Sequence, residues 1–140
     1  MPMNELATTE QLQYEIATAL ADSLPYVLST WGRAQEQHLP GVTQPGFLRA
    51  FARLQARIMR DSAVKCAMQG ATIAGFIVYG PNELHWVNVR KELRRHGIGR
   101  ALILHAFGSN QPTITTWTPD LRHLKLQNAE YTPFWLRITA

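Results

Sequence analysis

The chain has 140 residues, 46% of them hydrophobic and 17% charged, with a formal net charge of +4. That length points to one domain able to bury a sizeable core, and no apolar run approaches the roughly 20 residues of a membrane helix. Cys66 is the only cysteine, which excludes an internal disulfide and a cysteine-based zinc cluster and makes a reducing cytoplasm the expected setting.

Taken in order, residues 1–10 are polar, and Met1-Pro2-Met3-Asn4-Glu5 lacks the basic-then-apolar pattern of a secretory signal. Over Gln11–Ala19, Leu12, Tyr14 and Ile16 alternate with polar neighbours, which predicts a first strand. Asp22 or Ser23 can cap a helix with Pro25 in its first turn. Leu24, Val27, Leu28 and Trp31 follow at helical spacing. After the break His38-Leu39-Pro40-Gly41, a second helix starts near Pro45, with Phe47, Leu48, Phe51, Leu54 and Ile58 as its apolar stripe. Arg49, Arg53, Arg57 and Arg60 run along another face of that helix. They read either as a groove for an acidic substrate or nucleic acid, or as a solvated face.

Val64, Cys66 and Met68 alternate along a strand, and Gln69-Gly70 supplies a turn. Ala71–Tyr79 is apolar on both faces, as a central strand should be. Gly80-Pro81-Asn82 turns the chain into Glu83–Val89, which predicts a hairpin. A basic turn and a helix from near Gly97 to near Gly108 come next. Pro112–Trp117 reads as a fifth strand because β-branched residues favour that state. A short helix over Thr118–Gln127 and a last edge segment from Tyr131 to Ile138 close the order β-α-α-β-β-β-α-β-(α)-β. This is a mixed α/β, α+β pattern with a mostly antiparallel first half, not a doubly wound sheet.

The turn after the fourth strand holds most of the chemistry. Between Arg90 and Arg100 there are five Arg or Lys and one Glu, an excess equal to the net charge of the whole chain. Two glycines, Gly97 and Gly99, stand where a helix start leaves backbone N–H groups unpaired. Glycine admits a bulky anion there, and the helix dipole favours negative charge. A P-loop is excluded because no Gly-Lys-Ser/Thr follows. A dinucleotide fingerprint would need glycine at Leu102 and a place after the first strand. An ordinary basic turn capping a helix is the plain alternative.

Arg94-Arg95-His96-Gly97-Ile98-Gly99 resembles the Arg/Gln-x-x-Gly-x-Gly/Ala pyrophosphate loop of the GNAT superfamily of acyl-CoA-dependent N-acetyltransferases. The element order is similar to the GNAT fold nearly end to end, and Ile16–Trp31 looks like the family's usual first strand and helix. The resemblance implies a single GNAT-like acyltransferase domain over residues 1–140, with a mixed central sheet and helices on both faces. Leu84–Val89, Ile114–Thr118 and Tyr131–Phe134 also look like the short GNAT-like proteins of tailed phages. That would place the chain in a host cytoplasm or a virion.

What the resemblance implies for function is transfer of an acyl group, expected to be acetyl from acetyl-CoA, to an amine. Val87, Asn88 and Val89 would hold the acyl arm, with Asn88 also able to bind the acceptor. Arg94, Arg95, His96, Gly97, Ile98, Gly99 and Arg100 would surround the pyrophosphate. No covalent enzyme intermediate is needed, so the protein supplies proximity, a base and a donor for the thiolate. Glu83 and His85 are two apart and so are expected on one face of the strand. Glu83 also precedes Arg94 by eleven residues, the spacing at which histone-acetyltransferase members place a base glutamate. Glu83 is therefore the first candidate base and His85 the second.

The family's acid is a tyrosine in the helix after the fifth strand, and Asp120–Gln127 contains none. Tyr131 is the nearest substitute, although it also fits an aromatic core position beside Phe134 and Trp135. The missing tyrosine makes room for a rival reading, a GNAT-like structural or virion protein that has lost catalysis. A protein associated with DNA modification is a third, resting on the arginine stripe. The five histidines show no metal spacing, so no metal is expected.

Overall fold

The structure, a computed structural model, describes residues 13–37, 44–116, 121 and 130–132. The expectations for residues 1–10, for the break at 38–41, for nearly all of the helix over 118–127 and for the segment beyond 132 lie outside these residues.

Five strands form one sheet in the order β1-β2-β3-β4-β5. They are β1 (Glu15–Thr18), β2 (Ala63–Gln69), β3 (Thr72–Gly80), β4 (Glu83–Val89) and β5 (Thr113–Ile114). Antiparallel pairing joins β1 through β4, and β5 joins β4 in parallel. The strand Ala71–Tyr79 expected at the centre is β3, with buried residues from Ala74 to Val78. Gly80 pairs with Glu83, so Pro81-Asn82 is the two-residue hairpin turn.

Helices cover both faces. On one side lie α1 (Leu24–Gln37) and α2 (Gln44–Met59), on the other α3 (Ile98–Phe107). Val27, Trp31 and Phe51 pack with Cys66, Phe76, Val78 and Trp86 beneath α1 and α2. Ile98, Leu102, Ile103 and Phe107 pack with Ile77, Leu84 and Val87 beneath α3. Along β3, Ala74 and Ile77 feed one core and Phe76 and Val78 the other, the period-2 geometry of a pleated sheet over Phe76–Val78.

Some local expectations change. Asp22 and Ser23 lie inside a 3-10 turn (Ala21–Ser23) that runs straight into α1, so the helix is entered through a tighter turn. The stripe of α2 includes an unexpected member: Gln55 is buried, and its Nε2 donates to the Leu28 carbonyl at 2.8 Å across the α1–α2 contact. Phe51 is buried and Leu54 and Ile58 half-buried, while the side chains of Phe47 and Leu48 lie outside the described residues. The fifth strand is two residues long instead of six. On its far side Ile114 bridges in parallel to Tyr131, its N–H donating to the Glu130 carbonyl at 2.7 Å, while Thr115 N–H still donates to the Leu84 carbonyl of β4 at 3.0 Å.

Candidate active site

Strand pairing of β4 on that side is confined to Glu83 and Leu84. Among the described residues, Trp86–Val89 have no partner strand there. A cleft of about 670 Å³ lies at the C-terminal end of β4. Val87, Asn88, Val89, Arg94, Arg95, Gly97, Ile98, Gly99 and Arg100 line it, together with Leu93. The structure therefore gathers nine of the ten residues expected to hold the acyl donor around one opening. His96, the tenth, is exposed and not part of the lining.

The turn at the cleft floor has a backbone built for close approach. Arg95 and Gly97 both take left-handed conformations, with φ of 70° and 81°. A side chain at Gly97 would meet nothing within 4 Å, so the space above it is open. Ala101 N–H is the first to reach a helical carbonyl, that of Gly97 at 2.9 Å. The N–H groups of Ile98, Gly99 and Arg100 thus stand at the helix start without intrahelical partners. Arg95 and Arg100 are exposed around them, while Arg94 is tied down by its Nε donating to the Val89 carbonyl at 3.0 Å.

Arg90, counted with the basic turn, does something else. Its Nε donates to the Ile73 carbonyl at 2.6 Å, and its guanidinium lies 5.9 Å over the Tyr26 ring. It braces β4 against β3 and α1. Gly75, opposite Val89, is a positioning residue that sequence reasoning missed. A Cβ there would lie 2.8 Å from the Asn88 carbonyl oxygen and 3.2 Å from the Ile98 side chain. Only glycine lets the start of α3 settle this close to the cleft strand.

Glu83 and His85 do come together, with Glu83 Oε1 3.9 Å from His85 Nε2. Simple alternation does not account for it. Val78 pairs with Trp86 and Tyr79 with Leu84, so His85 is the extra residue of a β-bulge. The bulge turns His85 and Trp86 to the α1–α2 side, and Leu84 and Val87 both face α3. His85 is 3% exposed, stacks on Trp31 (6.5 Å between centroids, 24° between planes), and has Nδ1 2.7 Å from Thr115 Oγ1. Trp31 Nε1 donates to Thr116 Oγ1 at 3.2 Å. Trp31, Thr115 and Thr116 were legible only as helix stripe and strand, and nothing local linked positions 31 or 115 to position 85.

Burial lowers the His85 pKa to about 4, so the ring is neutral at pH 7. The folded value lies below the ordinary one of 6.5, and the unfolded chain therefore binds the extra proton between them. Stability should be full above pH 6.5, fall as pH drops toward 4, and owe no further change to this group below that. At about 1.4 kcal/mol per unit the loss reaches about 3 kcal/mol. Urea titrations from pH 4 to 8 test this, and His85→Gln should flatten the slope; equal slopes in both proteins would refute it.

Tyr131 sits across β5 from β4, bridged to Ile114, 43% exposed and outside the cleft lining. Partial burial raises its pKa, which keeps the phenol protonated. The Cys66 thiol is buried, and burial raises its pKa too, so it is a poor nucleophile. Arg49, Arg53 and Arg57 are exposed on α2, and Arg60 is exposed in the turn just past its end. No group of three or more His, Cys, Asp or Glu converges among the described residues. No helix among them is long and apolar enough to cross a membrane.

A five-stranded mixed sheet with helices on both faces is the single-domain α+β architecture of the GNAT fold. The solved structures it resembles agree. The chain is similar to a proposed acetyl transferase from Pyrococcus furiosus, with a TM-score of 0.58 and 12% identity over 85% of this chain and 79% of that one. It is also similar to a second proposed acetyltransferase, with a TM-score of 0.52 and 17% identity over 81% of this chain and 86% of the other. At such identities the likeness concerns the fold. No protein-family model matches the sequence, and no curated protein matches it.

Proposed function

We propose that the chain is an acyl-CoA-dependent N-acyltransferase that uses acetyl-CoA and passes the acyl group directly to an amine. The cleft carries this reading: an open strand edge leads to a helix start with unpaired N–H groups, open space above Gly97 and arginines around it. An acyl thioester bound there supplies the activated acyl carbon. The backbone of Val87–Val89 would hold its arm by strand-like hydrogen bonds, while the N–H groups of Ile98, Gly99 and Arg100, with Arg95 and Arg100, would hold the pyrophosphate.

In the reaction, a C–N bond forms as the C–S bond breaks. The amine's surplus proton passes to Glu83 or to Nε2 of His85, and the thiolate leaves with a proton of its own. Tyr131 would have to supply that last proton from outside the cleft lining, which favours a second reading. In it the fold binds CoA but no longer turns over, as in a structural, phage-encoded member.

Calorimetry with CoA tests the first requirement. Gly97→Glu should weaken binding about 10- to 100-fold, the loss of one charge-assisted contact of about 1.5–3 kcal/mol. Gly97→Ala is the control, since it imposes the same left-handed strain without the charge. Equal affinity in wild type and Gly97→Glu would sink the reading. Firm CoA binding without turnover on polyamines, amino acids, nucleotides or lysine peptides would establish the second one.

A further inference from the structure

Four arginines on and just past α2 take no part in the cleft. With 3.6 residues per turn, Arg49, Arg53 and Arg57 fall within about 80° of one another around the helix. Phe51, Leu54, Gln55 and Ile58, buried or half-buried, occupy the opposite side. Arg60 continues the row in the turn that follows. Between Arg49 and Arg60 the only other exposed residues are Ala50, Ala52 and Ala56, so this outer surface is arginine and alanine alone.

An ordinary solvated helix face sets opposite charges three or four residues apart, where they attract. Residues 44–60 contain no Asp or Glu. Arg49 with Arg53, and Arg53 with Arg57, are like-charge pairs at the i,i+4 spacing, which repel and weaken the helix. None of the four side chains makes an ion pair or hydrogen bond among the described residues. A polyanion laid along α2 would replace that repulsion with attraction.

The kind of polyanion follows from the spacing and from what stands between the charges. Arg49, Arg53 and Arg57 succeed one another at about 6 Å along the axis, a regular row. It suits the evenly repeated phosphates of a nucleic-acid backbone, and each guanidinium can hold a phosphate through two N–H groups. The alanines leave room for a broad strand to come close. No aromatic ring is exposed there to stack unpaired bases, and no large apolar side chain to enter a membrane. A paired duplex is the occupant that fits.

We propose that the outer face of α2 docks the phosphate backbone of a double-stranded nucleic acid, without regard to base sequence. The row runs out beside the candidate base. Asp61 follows Arg60, and its carbonyl oxygen, Glu83 Oε1 and His85 Nε2 all lie within 4 Å of where a Cβ on Gly80 would stand. Among the described residues α2 contributes nothing to the cleft lining. A docked duplex would therefore lie on the Glu83–His85 side and leave the cleft open. The docking stands or falls independently of the acyltransferase reading.

Fluorescence anisotropy with a short labelled DNA duplex tests this. Four phosphate contacts predict a log–log salt slope of about −3.6, hence a loss of affinity of about 100-fold between about 50 and 200 mM salt. Arg53→Gln/Arg57→Gln should reduce the slope by about 2. Its urea stability should match wild type, because both side chains are exposed. Arg95→Gln/Arg100→Gln, in the basic turn, should leave the slope as it is. No duplex binding at low salt, or an unchanged slope in the α2 variant, would overturn the proposal. So would a slope lost in the turn variant instead, which would assign the duplex to the turn. Binding to poly-glutamate or to phosphatidylserine vesicles as tight as to the duplex would reduce α2 to a patch of charge and overturn the phosphate-backbone assignment.

Discussion

Glu83→Gln should leave CoA affinity intact and lower turnover by about 10²–10⁴-fold, the usual cost of a lost general base. The substitution keeps the shape of the side chain and most of its hydrogen bonding but removes its capacity to accept a proton. Binding should survive because the cleft lining begins at Val87, and Glu83 lies at the other end of β4, where β5 is still paired. Turnover should recover partly at high pH, where more of the amine is already deprotonated. The neighbouring His85 is neutral at pH 7, held there by burial, so it can take part as an acceptor but not as a charge. Unchanged turnover in Glu83→Gln with a large loss in His85→Gln would move the base to the imidazole. Loss of CoA binding in Glu83→Gln would show instead that the two ends of β4 are not independent.

Trp31→Ala should cost about 3–5 kcal/mol, a large part of the 5–15 kcal/mol that stabilises a typical domain. The indole is fully buried and meets Phe51 edge to face at 5.4 Å and 88°. It also stacks on His85 and satisfies Thr116. Truncation would open a cavity between α1, α2 and the sheet that none of these rigid neighbours can fill. For a chain of this length the melting temperature should drop by about 10 °C or more. Trp31→Phe should cost less, since the ring contact with Phe51 survives. Urea denaturation measures both; a loss below about 1 kcal/mol in Trp31→Ala would mean that the α1 contact does not hold the core together. Variants that remain folded should also lose turnover, because Trp31 holds the His85 ring in its plane.

Much of this protein was legible along the chain. The spacing of Leu24, Val27, Leu28 and Trp31 placed α1, and the apolar run Ala71–Tyr79 placed the central strand. Gly80-Pro81-Asn82 announced the β3–β4 hairpin. These are local signals, because hydrophobic period and turn chemistry operate over a few residues. The Arg94–Gly99 turn was likewise readable: two glycines and a cluster of arginines mark a basic helix start without knowledge of what lies across from it.

The contacts between distant segments were decided only in three dimensions. Period-2 reasoning put Glu83 and His85 on one face, and the bulge at His85 interrupts the alternation beyond them, sending both His85 and Trp86 toward α1 and α2 and Val87 toward α3. A bulge depends on how β3 and β4 settle their register, which no short window of sequence contains. Strand pairing of β5 ends at Ile114, yet β propensity alone extended that strand to Trp117. Thr115, thirty residues from His85, and Gly75, whose missing side chain lets α3 approach Asn88, acquire their roles only through tertiary packing. The sequence alone determined which residues carry charge, bend or apolar surface. The tertiary structure decided which of them meet, because burial and hydrogen-bond satisfaction act across the whole sheet and its two helical layers.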